Sequence, residues 1–207
     1  MKYVMVMVTA IMLAAEPARA HSLKELEDSL LQREKYVQFV ERTAPPFTLM
    51  DATGGAVSLS DLRGKVIVLN FIYTHCPDVC PMHSALIAAL QEDINRTPMR
   101  DAVRFISITT DPGRDTADAM REYGESQGLD PANWSFLTSG ADDLEATRIL
   151  AAEYGLKFTP GDEGYQLHGV VTHVIDKSGN LRARYHGLKL DPLNIILFIN
   201  ALTNDSH

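Results

Sequence analysis

Two cysteines, Cys76 and Cys80, lie four residues apart in this chain, and a proline follows each of them. They come directly after an apolar run, residues 66–73, that predicts a buried strand, and directly before a segment that predicts a helix. Unpaired N–H groups and the positive end of the helix dipole lower the pKa of a thiol at a helix N-terminus. The pattern therefore predicts a reactive or metal-binding pair, and the alternative is two inert, buried thiols.

The spacer between the two cysteines holds three residues, one more than in the Cys-x-x-Cys motif of disulfide oxidoreductases. The wider loop allows both sulfurs to point at one bound ion. Pro81 suits the first position of the helix, since its missing N–H would have no partner there. We therefore expect Cys80 at about the N-cap of the helix and Cys76 in the loop before it.

A third ligand for a soft metal ion would have to come from one of the seven histidines. His75 adjoins the first cysteine and is expected to point away from its sulfur, whereas His83 follows the second cysteine by three residues and could reach the rim of the site. His168 and His173 are five residues apart, so a regular strand places them on opposite faces. At most one of these two therefore serves the site.

The elements that must position these residues follow from the apolar pattern. In chain order they are a helix over 22–42, a hairpin over 47–59, a strand over 66–73, a helix over 81–95, a strand over 103–109, helices over 115–127 and 142–154, a hairpin over 170–186 and a helix over 193–202. This order predicts an α/β fold: a central mixed sheet with helices on both faces, an N-terminal helix and hairpin extension, and a C-terminal β-hairpin plus helix.

The N-terminal segment has the composition of a secretory signal peptide. Lys2 supplies a positive charge, the apolar stretch 3–15 is too short for a comfortable membrane span, and residues 18–20 form an A-x-A cleavage site. We expect export to the periplasm with cleavage rather than a membrane anchor. The chain is thus divided into a signal peptide at 1–20, a helical extension at 21–44 and a globular domain at 45–207.

The charge and the predicted export limit the classes of partner and of cysteine chemistry. A net charge of -8 at pH 7 argues against nucleic acid and anionic membrane surfaces as partners. Disulfides persist outside the cytoplasm, so a structural disulfide is the default for two exported cysteines. A bridge across so short a loop removes little entropy from the unfolded chain, however, which weakens that default.

Residues from about 45 to 203 resemble the Sco/SenC family of thioredoxin-fold copper proteins. The motifs that carry the resemblance are F-x-L-x-D-x-x-G at 47–54, GKVIVLNFIYTHCPDVCP at 64–81, SITTDPGRDT at 107–116 and the loop that holds His168. The C-P-D-x-C-P element is highly specific to the family, and D-P-x-R-D-T is nearly as specific. The resemblance implies a thioredoxin-like fold and the copper ligands Cys76, Cys80 and His168.

The chain departs from the family pattern beside the implied ligand histidine. The family usually has an acidic residue before it and a hydroxyl residue after it, where this chain has Leu167 and Gly169. Two thiolates and one imidazole suit Cu(I), and with an added ligand Cu(II), whereas zinc would want a fourth protein ligand. Asp78 is a candidate for the added ligand, although hydrogen bonding to backbone N–H groups of the loop is its favoured role. The motif at 111–116 is interpreted as a structural ion-pair and helix-cap cluster that includes Asp115.

The resemblance implies a copper chaperone that delivers copper to the copper-site subunit of cytochrome c oxidase or to another cuproprotein, with a thioredoxin-like protein as its reductant. One alternative is an enzyme, a thiol–disulfide oxidoreductase in which Cys76 and Cys80 are the catalytic redox pair. Another is a copper or redox sensor. Thioredoxin-like oxidoreductases usually place a cis-proline opposite the cysteines, and no proline occurs between residues 161 and 191. Metal binding is therefore favoured over catalysis.

Overall fold

A computed structural model describes residues 22–160 and 166–205, with the backbone alone at 158–160 and 166–168. The predicted signal peptide at 1–20 lies outside these residues. The described strands are β1 (Val37–Thr43), β2 (Thr48–Asp51), β3 (Ala56–Ser58), β4 (Val66–Ile72), β5 (Val103–Thr109), β6 (Trp134–Thr138), β7 (Phe158–Pro160), β8 (Gln166–His168), β9 (Val171–Ile175) and β10 (Asn180–His186). The described helices are α1 (Leu23–Leu31), α2 (Val79–Asn95), α3 (Ala117–Ser126), α4 (Ala146–Glu153) and α5 (Pro192–Asn204).

Eight of the described strands form one mixed sheet in the order β1-β10-β9-β4-β5-β6-β2-β3. Strands β4, β5 and β6 run parallel at its centre, and antiparallel strands flank them on both sides. The short strands β7 and β8 pair separately as a two-stranded sheet. The mixed sheet confirms the α/β class that the order of elements predicts.

The central strand β4 is buried at every position because both faces of the sheet are covered. Val66, Val68 and Ile72 contribute to a core cluster shared with α1, α2, α3 and α5. Ile67, Leu69 and Phe71 alternate with them and contribute to a second cluster, which includes residues of α4. The first cluster contains both cysteines, so the site lies on the face that carries α2.

The predicted helix over residues 22–42 is wrong beyond Leu31. Ser22 caps α1 with Glu25 in a reciprocal capping box, but Val37–Thr43 is an edge strand paired with β10. On this strand Phe39 packs against Phe198 of α5, with ring centroids 5.0 Å apart. The β-branched and aromatic side chains of this segment favour a strand once a partner strand is available. Residues 37–43 therefore belong to the main sheet, and the structural unit begins before residue 45.

The remaining elements differ from the predictions mainly at their ends. Strand β5, both predicted hairpins and the final helix are confirmed. Strand β6 and the pair β7 and β8 were not predicted, because they are short and β6 contains Ser135 between apolar residues. None of the helices in the described residues combines the length and the apolar character needed to cross a membrane.

Candidate metal centre

The two cysteines lie where the central strand passes into a helix. Strand β4 ends at Ile72, Cys76 lies in the following loop, and α2 begins at Val79. Cys80 is therefore the second residue of the helix rather than its N-cap. Pro81 fits at the third position because the first four N–H groups of a helix have no intrahelical partner. The site is thus at a helix N-terminus, as predicted, with the helix starting two residues earlier.

Asp78 occupies the N-cap position, but its exposed side chain makes no capping hydrogen bond. The predicted hydrogen bonding of its carboxylate to N–H groups of the loop is not seen at this cap. Its backbone contributes instead, because the N–H of Asp78 donates a hydrogen bond to the sulfur of Cys76. The loop therefore places main-chain donors around the first sulfur.

Both thiols are free and buried, with Cys76 7% exposed and Cys80 2% exposed. The backbone N–H of Cys80 donates to Sγ of Cys76 across 3.4 Å. The thiol of Cys80 also donates a hydrogen bond to this sulfur, and so does the Tyr73 side chain. These donors favour the thiolate over the thiol and outweigh the opposing effect of burial. They lower the pKa of Cys76 to about 5.

The pKa of Cys80 is shifted in the opposite direction to that of Cys76. Its proton is held in the hydrogen bond to Cys76, it is buried, and the negative charges of Cys76 and Asp115 are near, so its pKa is raised. The metal-free, reduced pair therefore carries one thiolate and one proton. A soft cation that displaced this proton would bind both sulfurs.

The thiolate character of Cys76 predicts a distinctive alkylation profile in the metal-free, reduced protein. Since only the thiolate reacts, the rate with iodoacetamide should be half-maximal near pH 5 and level by about pH 7. Cys80 should remain slow throughout this range, because its pKa is raised. Peptide mass spectrometry over a pH series measures both rates. A midpoint near the ordinary thiol value of about 8.5 would contradict the hydrogen-bonding pattern.

The loop that carries Cys76 is anchored by Asp115, a buried carboxylate 2% exposed. It accepts hydrogen bonds from the Thr74 hydroxyl at 2.6 Å, from the Thr74 N–H at 3.2 Å and from the Thr109 hydroxyl. Thr74 is two residues before Cys76, so these bonds fix the chain at the entrance to the site. A buried carboxylate is tolerated when its oxygens accept several hydrogen bonds, each of which contributes about 1.5–3 kcal/mol when the acceptor is charged.

The expected helix-cap role of Asp115 is wrong, because Thr116 caps α3 by accepting from the N–H of Ala119 at 3.3 Å. The expected ion pair in the same motif is confirmed: Arg114 Nε lies 2.5 Å from Asp111 Oδ2. Sequence reasoning therefore assigned this motif a structural role but missed its contact with the cysteine loop. Tyr73 was missed as well, and no pattern in the sequence marks it.

Three of the candidate histidines have defined positions. His75 is exposed, with Nδ1 2.9 Å from the Thr74 hydroxyl oxygen, and so lies on the solvent side of the loop. His83 is in the interior rather than at the rim, where Nε2 is 2.8 Å from the hydroxyl oxygen of Thr172 on β9. His173 is fully buried on the opposite face of the sheet.

The rings of Phe71 and Tyr154 pack edge-on against His173. Its Nε2 lies 3.3 Å from the carbonyl oxygen of Tyr154, and burial lowers the pKa of its imidazole to about 3. The ring is therefore neutral and packs against the second core cluster. As the two-residue period predicts, it faces away from the cysteines.

His168 ends β8, where its backbone pairs with Phe158. Its side chain lies outside the described atoms, so its distance to the cysteines is not defined. Within the described residues no group of three or more His, Cys, Asp and Glu side chains is arranged to hold a metal ion. The structure thus brings two of the three predicted ligands together. Their chemistry, two sulfurs of which one is already a thiolate, fits a soft ion such as Cu(I).

Comparisons with known proteins agree with these features. The SCO1/SenC family model matches residues 36–203. The SCO1 protein homolog of Bacillus subtilis is 27% identical over 152 residues, which cover 73% of this chain and 78% of that protein. The chain spans only 42% to 61% of the length of several mitochondrial relatives.

Solved structures show the same fold. Bradyrhizobium japonicum ScoI with copper bound has a TM-score of 0.63 and is 28% identical, with 77% of this chain and 99% of that chain covered. BsSco, a member of the Sco family of cytochrome c oxidase assembly proteins, has a TM-score of 0.70 and is 24% identical, with 81% and 96% covered. At that identity BsSco supports the fold alone. The likeness confirms the predicted thioredoxin-like fold.

Proposed function

The chain belongs to the SCO1/SenC family, and from that premise we propose that it binds copper through Cys76, Cys80 and His168 and delivers it to the copper-site subunit of a cytochrome c oxidase. We further propose that it does so in the periplasm, after export and removal of residues 1–20. The observation that carries the proposal is the pair of free, buried sulfurs at the N-terminus of α2, one of them a thiolate. Copper, when bound, would supply a cargo ion rather than a catalytic centre.

The donor set supports copper as the ion. Two thiolates hold Cu(I) well, and an imidazole nitrogen extends the set to Cu(II) with an added ligand. A closed zinc site would require four protein ligands, and this chain offers only two cysteines. The copper-bound ScoI relative is consistent with this choice of metal.

The backbone register supports His168 as the third ligand. Strand β9 runs antiparallel to β4, with Ile175 opposite Ile67 and His173 opposite Leu69. Continuing that register brings the start of β9 beside the end of β4, where the cysteine loop begins. His168 lies three residues before β9, so its backbone is at the same end of the sheet as the cysteines.

A thiol–disulfide oxidoreductase is the second candidate function, because one cysteine of the pair is a thiolate and the other keeps its proton. In that reaction the Cys76 thiolate attacks a disulfide of the client, which releases one client thiolate. Cys80 then loses its proton and attacks the mixed disulfide, which releases the second client thiolate and leaves a Cys76–Cys80 disulfide. A thioredoxin-like dithiol would reduce that disulfide, and the chaperone would need the same reductant before it loads copper.

A strain that lacks this protein separates the two functions. We expect it to lose copper-dependent oxidase activity and to regain at least part of it in high external copper, because mass action replaces a delivery protein. Excess copper cannot replace a reductant, since client cysteines joined in a disulfide are poor ligands. Oxidase activity is measured in membranes from cells grown with copper or with dithiothreitol. Rescue by dithiothreitol and none by copper would favour the oxidoreductase, and an unchanged oxidase would contradict both functions.

A further inference from the structure

Two neighbouring arginines on the second face of the sheet, away from the cysteines, have no acidic partner among the residues that the structure describes. Arg42 is on the edge strand β1, and Arg184 is on β10, opposite His173, whose ring packs against Tyr154 of the second core cluster. Within the described part of the chain, neither guanidinium has a carboxylate at ion-pair distance, and the buried Nε of Arg184 has no hydrogen-bond partner. The chain carries 27 acidic residues and a net charge of -8, so a shortage of acidic residues does not explain why these two arginines lack a carboxylate within the described residues.

Arg182, on the same strand, has two carboxylates at ion-pair distance, although its buried Nε, like that of Arg184, has no hydrogen-bond partner within the described residues. Its Nη2 lies 3.2 Å from Glu27 Oε1 and its Nη1 lies 3.5 Å from Asp176 Oδ2. Arg184 is also partly withdrawn from water, yet the charge beside it is that of Arg42, and both burial and this neighbour lower its pKa. The positive charge of Arg184 in turn helps to lower the pKa of His186. In the described part of the chain, no carboxylate at ion-pair distance therefore balances the two guanidinium charges.

Both guanidinium groups contact the chain at the carboxyl end of α4. Arg42 Nη2 donates to the carbonyl oxygen of Glu153 at 2.8 Å, and Glu153 is the last residue of the helix. The Arg184 guanidinium lies over Gly155, where an added Cβ would be 3.4 Å from its Cζ and Nη2. A helix C-terminus carries about half a negative charge, which is too little to balance two guanidiniums. The contacts nevertheless hold both side chains in place.

We propose that Arg42 and Arg184 form a binding site for an oxyanion, a carboxylate or phosphate group, on the sheet face that carries α4. Guanidinium groups present forked N–H donors that match the oxygens of both groups. Arg42 is exposed and Arg184 is half-buried, so an anion can reach them from solvent. The site is separate from the cysteine pair and has a role beyond copper delivery.

NMR titration of the full-length protein with inorganic phosphate tests the site. The chemical shifts of the Arg184 Nε–H and of the β10 amides are measured, and chloride is added to hold the ionic strength constant. A second titration uses tetraglutamate. We expect saturable shifts with at least one of the two probes. Arg184→Gln should weaken binding at least about tenfold, because the paired fork is lost. Arg33→Gln removes the same charge from an exposed position after α1 and should leave binding unchanged.

The two probes distinguish the sources of the anion. Phosphate that saturates at low concentration, with no tighter binding of tetraglutamate, identifies a free oxyanion as the ligand. Tetraglutamate that binds at least about tenfold more tightly than phosphate identifies an acidic segment of a partner protein. No binding of either probe would overturn the proposal, and so would an equal loss in Arg33→Gln and Arg184→Gln.

Thermal unfolding separates this role from a purely structural one. In chloride buffer, Arg184→Gln should unfold at the same temperature as the parent or higher, because it removes a partly buried and repelled charge. The probe that binds in the titration should raise the melting temperature of the parent and leave that of the variant unchanged. Two results together would show that Arg184 only supports the fold: Arg184→Gln melts several degrees lower than the parent in chloride, and the probe does not raise the melting temperature of the parent.

Discussion

Copper analysis of the purified protein should give one copper per chain when Cys76 and Cys80 are reduced and none when they are joined in a disulfide. The thiolate is the ligand, and a disulfide sulfur is a poor donor. The reduced pair needs to lose only one proton to bind copper through both sulfurs, because Cys76 is already a thiolate and only Cys80 is protonated. The measurement is a Cu(I) competition titration with a coloured chelator, with total metal quantified in parallel.

Single substitutions control for effects of oxidation elsewhere in the protein. Cys76→Ser and Cys80→Ser remove one sulfur each and cannot form the disulfide, so both should bind Cu(I) far more weakly than the reduced parent under any redox condition. His75→Ala removes the exposed imidazole beside the pair, whose Nδ1 is 3.5 Å from Asp115 Oδ1, and it should leave Cu(I) binding unchanged. Stoichiometric Cu(I) binding by the fully oxidised parent would show that the sulfurs are not the ligands. Failure of the reduced parent to bind would refute copper binding at this pair.

The position of the cysteine pair could be predicted because it depends on local sequence. An apolar run ending just before the loop and a proline after Cys80 together specify a strand, a loop and a helix start. Pro81 alone does not determine the first residue of the helix, since a proline is tolerated at any of the first four positions, whose N–H groups have no intrahelical partner. That tolerance allows the helix to begin at Val79, with Pro81 as its third residue.

Contacts between distant parts of the chain were not predictable in the same way. Asp115 and Thr74 are 41 residues apart, and no periodic pattern links them. Residues 32–43 have apolar spacing that also fits a helix, and the pairing of Val37–Thr43 with β10 decides the outcome. The buried Nε of Arg184, which has no hydrogen-bond partner within the described residues, is another such case, because a missing partner is visible only once the surrounding residues are in place.

The face of His173 was predictable, because the side chains of a strand alternate between faces whatever the strand pairs with. Its contacts with Phe71 and Tyr154 on the second face agree with that rule. His168 lies on β8, a separate short strand paired with β7, so the alternation of side chains along β9 does not extend to it. Strand geometry therefore argues against His173 as a ligand, whereas the proposal of His168 rests on the family resemblance.

His168→Ala should weaken Cu(II) binding at least about a hundredfold and Cu(I) binding much less. Cu(II) prefers several donors that include nitrogen, whereas two thiolates alone can hold Cu(I). Sulfur-to-copper charge-transfer absorption follows the Cu(II) form, and chelator competition follows Cu(I).

His173→Gln should leave both affinities unchanged, since the His173 ring is neutral and buried on the opposite face, although the substitution should lower the stability of the fold. His75→Ala tests the nearest imidazole in the sequence. Loss of Cu(II) binding in that variant, with His168→Ala unaffected, would assign the third ligand to the cysteine loop and show that our extension of the β9 register to His168 is wrong.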